Sequence, residues 1–225
     1  MKRNILFVLL WLTMPFLSGC GQNETVRSDN ETSIVPAAVV TIYAIGDSIT
    51  AWYQLPQEQS WPAQLEALLY AAWYKNYKVV NAWKSWDTSQ QVKDRLDRST
   101  SDAKKGDIAV VTIGWNDWFQ SVPVATLANN IRDIILYLQW KWMIVVVWWM
   151  QITTNLWQKY ITDFREIYPA IAKETGITLI PFILDNVALK PGLNLSDMIH
   201  PNQEGYAIVA KTVFDHLQEN ELISQ

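Results

Sequence analysis

From residue 37 onward the chain alternates between short apolar runs and longer amphipathic ones. Val39 to Ile45, Lys78 to Asn81, Asp107 to Ile113, Met143 to Val147 and Ile177 to Ile180 are short and rich in Val and Ile, the composition of strands buried on both faces. Between them, Trp61 to Tyr74, Ser89 to Leu96, Val124 to Leu138 and Trp157 to Glu174 carry apolar residues at helical spacing, and a last helix runs from about Gln203 to Gln218. Thr88 or Ser89 suits an N-cap for the second helix, and Gly176 falls just past the end of the fourth. Five strand–helix alternations predict an α/β fold: one parallel five-stranded sheet with helices on both faces, a three-layer α/β/α sandwich. Sites on such sheets form at the carboxyl ends of the strands.

Before residue 37 the pattern is different. Lys2 and Arg3 precede an apolar stretch, Ile5 to Leu17, that is too short to span a bilayer comfortably. It ends Leu17-Ser18-Gly19-Cys20, which resembles the bacterial lipobox. Cys20 is the only cysteine, so it has no partner within the chain for a disulfide, whereas a lipobox uses it as the lipidated mature N-terminus. The resemblance implies several acyl chains there, and stable anchoring takes more than one. The expected organisation is a lipoprotein signal peptide over 1–19, a lipidated polar tether over 20–36, and one domain over 37–225. Gly21 after Cys20, rather than an aspartate, implies by the same resemblance the periplasmic face of the outer membrane.

Half of the 225 residues are hydrophobic, enough for one sizeable core without a second domain. A net charge of −4 with 18% charged residues leaves no basic footprint for nucleic acid.

The first strand runs into Gly46-Asp47-Ser48-Ile49-Thr50. A serine on the turn leaving a central strand presents its hydroxyl at the rim of the sheet, but it needs a base to act as a nucleophile. Only His200 and His216 are available. His216, beside Asp215 and near Gln218 and Glu219 in the last helix, reads as a solvated surface residue. His200 lies in the loop Asp197-Met198-Ile199-His200, where an acid three residues upstream is placed to fix the tautomer. Asn116, just past the third strand, offers a side-chain amide to an oxyanion, and the backbone N–H groups of Ser48 and Trp86 are candidates to complete the hole. Asn116-Asp117 also reads simply as a turn. There is no His/Cys cluster with ligand spacing, and the chemistry calls for no metal or other cofactor.

Gly46-Asp47-Ser48, the segment Asn81 to Ser89, Gly114-Trp115-Asn116-Asp117 and Asp197-Met198-Ile199-His200 resemble, in order, the four sequence blocks of the SGNH (GDSL-type) hydrolases. The similarity runs from about Thr41 to Asn202. Ser60-Trp61-Pro62, Asp87-Thr88-Ser89-Gln90-Gln91, Met150-Gln151-Ile152, Ile167-Tyr168-Pro169 and Leu189-Lys190-Pro191 are similar to the bacterial thioesterase I/lysophospholipase L1/arylesterase branch. The resemblance implies a flavodoxin-like sheet, Ser48 as nucleophile, His200 as base, Asp197 as its partner, and Ser48 N–H, Trp86 N–H and Asn116 as oxyanion donors. It implies a monomer acting on aryl and short-to-medium acyl esters, acyl thioesters or lysophospholipids.

The chain departs from the family pattern in one respect. It holds 13 tryptophans and only 8 glycines, and the family has glycine where Trp52, Trp83, Trp86, Trp115 and Trp118 stand here. Trp73, Trp140, Trp142, Trp148, Trp149 and Trp157 also occupy turn-like or strand-flanking positions, whereas Trp61 matches the family as tryptophan. Systematic replacement of glycine accounts for this better than an aromatic platform, which would gather its indoles on one surface. The expectation is an impaired ester hydrolase. The alternatives are a non-catalytic binding module with an indole-blocked site, or a carbohydrate O-deacetylase on the same fold.

Overall fold

The computed structural model describes residues 38–152 and 158–225; the expected signal peptide, Cys20, the expected tether and Trp157 lie outside the described residues. In chain order the elements are β1 (Val40–Gly46), α1 (Trp61–Ala71), β2 (Tyr77–Trp83), α2 (Ser89–Ser99), β3 (Ile108–Thr112) and α3 (Trp115–Phe119). Then follow α4 (Val124–Trp140), β4 (Ile144–Trp148), α5 (Gln158–Thr175), β5 (Thr178–Ile180) and α6 (Gln203–Glu219). All five strands pair in parallel in the order β2-β1-β3-β4-β5. The α/β sandwich read from the sequence is the fold observed. Ile42 stands opposite Val79 on one side and Ile108 on the other, and Ile108 opposite Ile144. Every residue of β3 is buried, as its uninterrupted apolar run requires. Helices α1 and α6 pack on each other, and so do α2 with α4 and α4 with α5, forming the outer layers.

The helix starts follow from local chemistry. Thr88 precedes α2, its N–H donating to Gln91 Oε1 at 2.9 Å, and Asn202 Oδ1 accepts from Gly205 N–H at 3.0 Å to cap α6. The helix ends hold a surprise. Helix α1 stops at Ala71, short of the expected Tyr74, because the backbone turns left-handed at Trp73 (φ 69°). There Trp73 N–H reaches back to Tyr70 O at 3.2 Å and Tyr74 N–H to Leu69 O at 2.9 Å, the paired bonds of a Schellman motif. Helix α4 ends the same way at Trp142 (φ 61°), with bonds of 2.8 Å to Gln139 O and 3.1 Å from Met143 N–H to Leu138 O. At the end of α5 the left-handed residue is Gly176 (φ 70°), the residue type such a turn favours.

One element differs in kind from the sequence reading. Asn116-Asp117, which also reads as a turn in the sequence, lies in the one-turn helix α3. Gly114 enters it at φ 116°, and a Cβ there would collide with the Tyr168 hydroxyl. His216 is also not solvated: it is half-buried in the last turn of α6, and burial holds its imidazole pKa below the ordinary value.

Candidate active site

The chain crosses from one side of β1 to the other between β2 and β3, so a crevice opens at the carboxyl ends of β1 and β3. Ser48 sits on the turn just past β1. That turn is wound around Asp47, whose main-chain oxygen accepts from Thr50 N–H (3.1 Å) and Ala51 N–H (3.0 Å) while its carboxylate accepts from Ile49 N–H (3.0 Å). Gly46 must lack a side chain, because a Cβ would come within 2.9 Å of Thr112 O and strike the Thr50 hydroxyl. The strand end is held from below by Arg95 of α2. Its guanidinium donates to Gly46 O (3.0 Å), Ala82 O (2.9 Å) and Asp87 Oδ2 (2.5 Å).

His200 arrives from the far end of the chain. Its Nε2 lies 2.9 Å from Ser48 Oγ and its Nδ1 2.7 Å from Asp197 Oδ2. An ionised carboxylate only accepts, so Nδ1 carries the proton and Nε2 is left to accept from the serine hydroxyl. Asp197 is fixed in turn by the N–H groups of Ile199 (2.9 Å) and His200 (3.0 Å). Burial pulls the Asp197 carboxyl upward, but these bonds and the imidazole outweigh it and hold the group below its ordinary value. Tyr53 stacks on the imidazole with ring centroids 4.5 Å apart. Ser48 and His200 are both buried, whereas Asp197 is partly open to solvent.

Asn116 is buried at the start of α3, with its amide nitrogen 3.0 Å from Asp87 O and 3.3 Å from Asp47 Oδ2. Both amide hydrogens are therefore engaged, one of them only loosely. Burial, opposed by the Ile49 N–H bond, pushes the Asp47 carboxyl up to about 7. Next to it Asp117 accepts from Ser89 N–H (2.8 Å) and the Ser89 hydroxyl (2.5 Å), and Asn130 donates to that hydroxyl (3.0 Å), tying α3 to α2 and α4. Burial raises Asp117 while its Ser89 bonds lower it, with a net rise. Trp86 has φ 69° and an exposed indole, and none of the hydrogen bonds among the described residues uses its backbone N–H or that of Ser48. The structure thus brings Ser48, His200 and Asp197 into bonding contact, with Asn116 held by the Asp47 carboxylate of the same turn.

Two cavities flank this ground. One of about 330 Å³ is lined by Ala51, Trp52, Tyr53, Leu55, Trp83 and Ser85, next to the serine turn. Trp52 and Trp83 meet edge to face across it at 4.9 Å. The other, about 620 Å³, runs along β2 and α2 and includes neither Ser48 nor His200, so it is not the reaction site. Tyr53 and Arg95 carried no signal in the sequence: nothing local marks a tyrosine that will stack on a histidine 147 residues away, or an arginine that will collect two strand ends. Among the described residues no group of His, Cys, Asp and Glu is arranged to hold a metal ion.

Comparison with known proteins shows the family and the fold. Residues 44–208 match the model of the GDSL-like lipase/acylhydrolase family. The chain is 30% identical over 177 residues to an arylesterase of Vibrio mimicus, covering 78% of this chain and 87% of the relative. It is 31% identical over 182 residues to thioesterase 1/protease 1/lysophospholipase L1 of Escherichia coli strain K12, covering 81% and 85%. Among solved structures, a crystal structure of TesA superposes with a TM-score of 0.74 at 29% identity, covering 80% of this chain and 98% of that one.

Proposed function

The chain belongs to the GDSL-like lipase/acylhydrolase family and is a hydrolase of the ester-cleaving type, and from that premise we propose that Ser48 is its nucleophile and that it works through an acyl-enzyme. As the Ser48 oxygen attacks an acyl carbonyl, its proton passes to His200 Nε2, and Asp197 stabilises the imidazolium through Nδ1–H. Collapse of the tetrahedral intermediate expels the alcohol, phenol or thiol, which takes that proton. Water, deprotonated by the same imidazole, then releases the acid and restores the serine. The oxyanion is received by the N–H groups of Ser48 and Trp86 and by Asn116, which gives up its long bond to Asp47 to do so. The observation that carries this reading is the 2.9 Å and 2.7 Å relay from Ser48 through His200 to Asp197.

The substrate class is an aryl or short-to-medium acyl ester, an acyl thioester or a lysophospholipid, bound with the acyl chain toward the cavity between Trp52 and Trp83. With indoles at 52 and 83 lining that cavity and another at the proposed oxyanion donor, Trp86, the chain as written is impaired. A second reading, a folded module blocked by those indoles, is favoured by the Trp52–Trp83 contact across the cavity. Burst release of p-nitrophenol from p-nitrophenyl acetate and butyrate separates the two. A Ser48-dependent burst supports the hydrolase, and no burst from a folded chain supports the blocked module. We also place the protein at the cell envelope, held by lipid on Cys20, on the strength of the lipobox-like Leu17-Ser18-Gly19-Cys20.

A further inference from the structure

Three tryptophans occupy left-handed backbone: Trp73, Trp86 and Trp142, at φ 69°, 69° and 61°. A side chain with a Cβ is strained in that region, and only glycine enters it freely. A bulky residue held there needs compensating contacts, yet these indoles are 70%, 58% and 70% exposed and meet only surface neighbours: Lys75 Nζ 4.1 Å over Trp73, Phe119 6.4 Å from Trp86 and Lys105 Nζ 5.3 Å over Trp142. Trp73 and Trp142 close Schellman motifs on α1 and α4, the position that Gly176 holds after α5. Both lie in loops that enter strands, at the opposite end of the sheet from Trp86, so the three do not form one surface. Trp148 fails differently. It is wholly buried with its ring 5.4 Å from that of Trp61, and neither indole N–H has a partner among the described residues, so two unpaired polar groups crowd one core contact where glycine at 148 would leave one. Composition points the same way: 8 glycines in 225 residues is half of the roughly 16 that average usage gives, and tryptophan stands in surplus at 13.

We infer that the working protein carries glycine at these positions, because its gene uses the codon UGA there and the organism's own ribosomes read UGA as glycine. UGA is read as tryptophan in some genetic codes and as glycine in others, and a gene of the second kind read by the first code shows an indole wherever a turn requires glycine. One cause then accounts for the left-handed Trp73, Trp86 and Trp142, for Trp148, and for the indoles at the family's glycine positions 52, 83, 115 and 118, and the prediction extends to Trp140 and Trp149. Trp61 is the exception. It matches the family as tryptophan and is buried at the start of α1, so on this inference its codon is UGG. With glycine at 86 the turn that offers its N–H to the oxyanion is unstrained, and with glycine at 52 and 83 the cavity beside Ser48 is open. The hole and the acyl cleft of the proposed hydrolase are then both usable.

The test is peptide sequencing by mass spectrometry of the protein made in its own cells, read beside the codons of the gene. Glycine at 73, 86, 142 and 148, UGA at each, and tryptophan with UGG at 61 are expected. Indoles at 73 and 142 in the native peptides, or UGG at all eleven positions, would overturn the inference. A second arm compares p-nitrophenyl butyrate hydrolysis by the chain as written and by the chain with glycine at the ten positions. Recovery of one oxyanion donor alone predicts a gain of roughly 10²-fold or more. If the native peptides carry glycine and neither chain hydrolyses esters, the decoding stands and the hydrolase reading falls.

Discussion

Asn116 Nδ2 lies 3.3 Å from Asp47 Oδ2, a buried carboxyl on the same turn as Ser48. The two are joined by a bond long enough to be exchanged, so the amide that steadies the resting turn is also free to serve an oxyanion. Burial raises Asp47 to about 7, which means that the folded protein keeps a proton the unfolded chain has lost. The sign follows: this residue makes the fold less stable as pH rises from about 4 to about 7, and the penalty is complete above that.

Asp47→Asn removes the ionisation while keeping the shape. The difference in urea stability between wild type and variant should therefore move in the variant's favour on going from about pH 5 to about pH 8, by on the order of 2–3 kcal/mol at most. Parallel urea curves with a constant offset between the two proteins would show that Asp47 does not titrate in that window.

Ser48→Ala should abolish ester hydrolysis with the fold intact, and His200→Ala should cost about 10⁴-fold or more in kcat. His216→Ala, in the last turn of α6, should leave turnover of p-nitrophenyl esters near wild type. Equal losses from the two histidine variants would remove His200 from its role.

The tryptophan positions separate stability from catalysis. Trp73→Gly and Trp142→Gly relieve left-handed backbone and should each raise stability by about 1 kcal/mol in denaturant melts, with no change in turnover. Trp86→Gly and Trp115→Gly should raise kcat/KM far more than Trp140→Gly with Trp142→Gly. Equal activity in all of these chains would show that the loops around Ser48 do not need glycine.

Cys20→Ala should move the protein from the membrane fraction to an uncleaved precursor or a soluble product. Globomycin, which blocks the lipoprotein signal peptidase, should leave the wild type as a larger precursor. Unchanged mass and fractionation in both experiments would defeat lipidation at Cys20.

Much of this was legible in the sequence, for identifiable reasons. Buried parallel strands such as Ile108 to Thr112 have no polar face, so their apolar runs stand out even when their ends do not. The pairing of Asp197 with His200 is local, three residues apart in one loop, and so survives as a motif. Helix α3 did not, because a single turn is too short to show a period and Asn116-Asp117 favours a turn as readily. Tyr53 over His200 and Arg95 beneath Gly46 are creations of the tertiary fold. His216 was misjudged because neighbouring charges in sequence do not report which face of a helix is covered.

Ser48 is near the front of the domain, whereas the histidine that touches it is 152 residues further on, in the loop before the last helix. The serine is therefore made long before the histidine that it touches. The 2.9 Å contact between Ser48 and His200 exists only once the loop before α6 has reached the turn after β1. The relay is thus a property of the completed domain: a chain ending before residue 197 would keep the serine turn but leave Ser48 without its histidine partner.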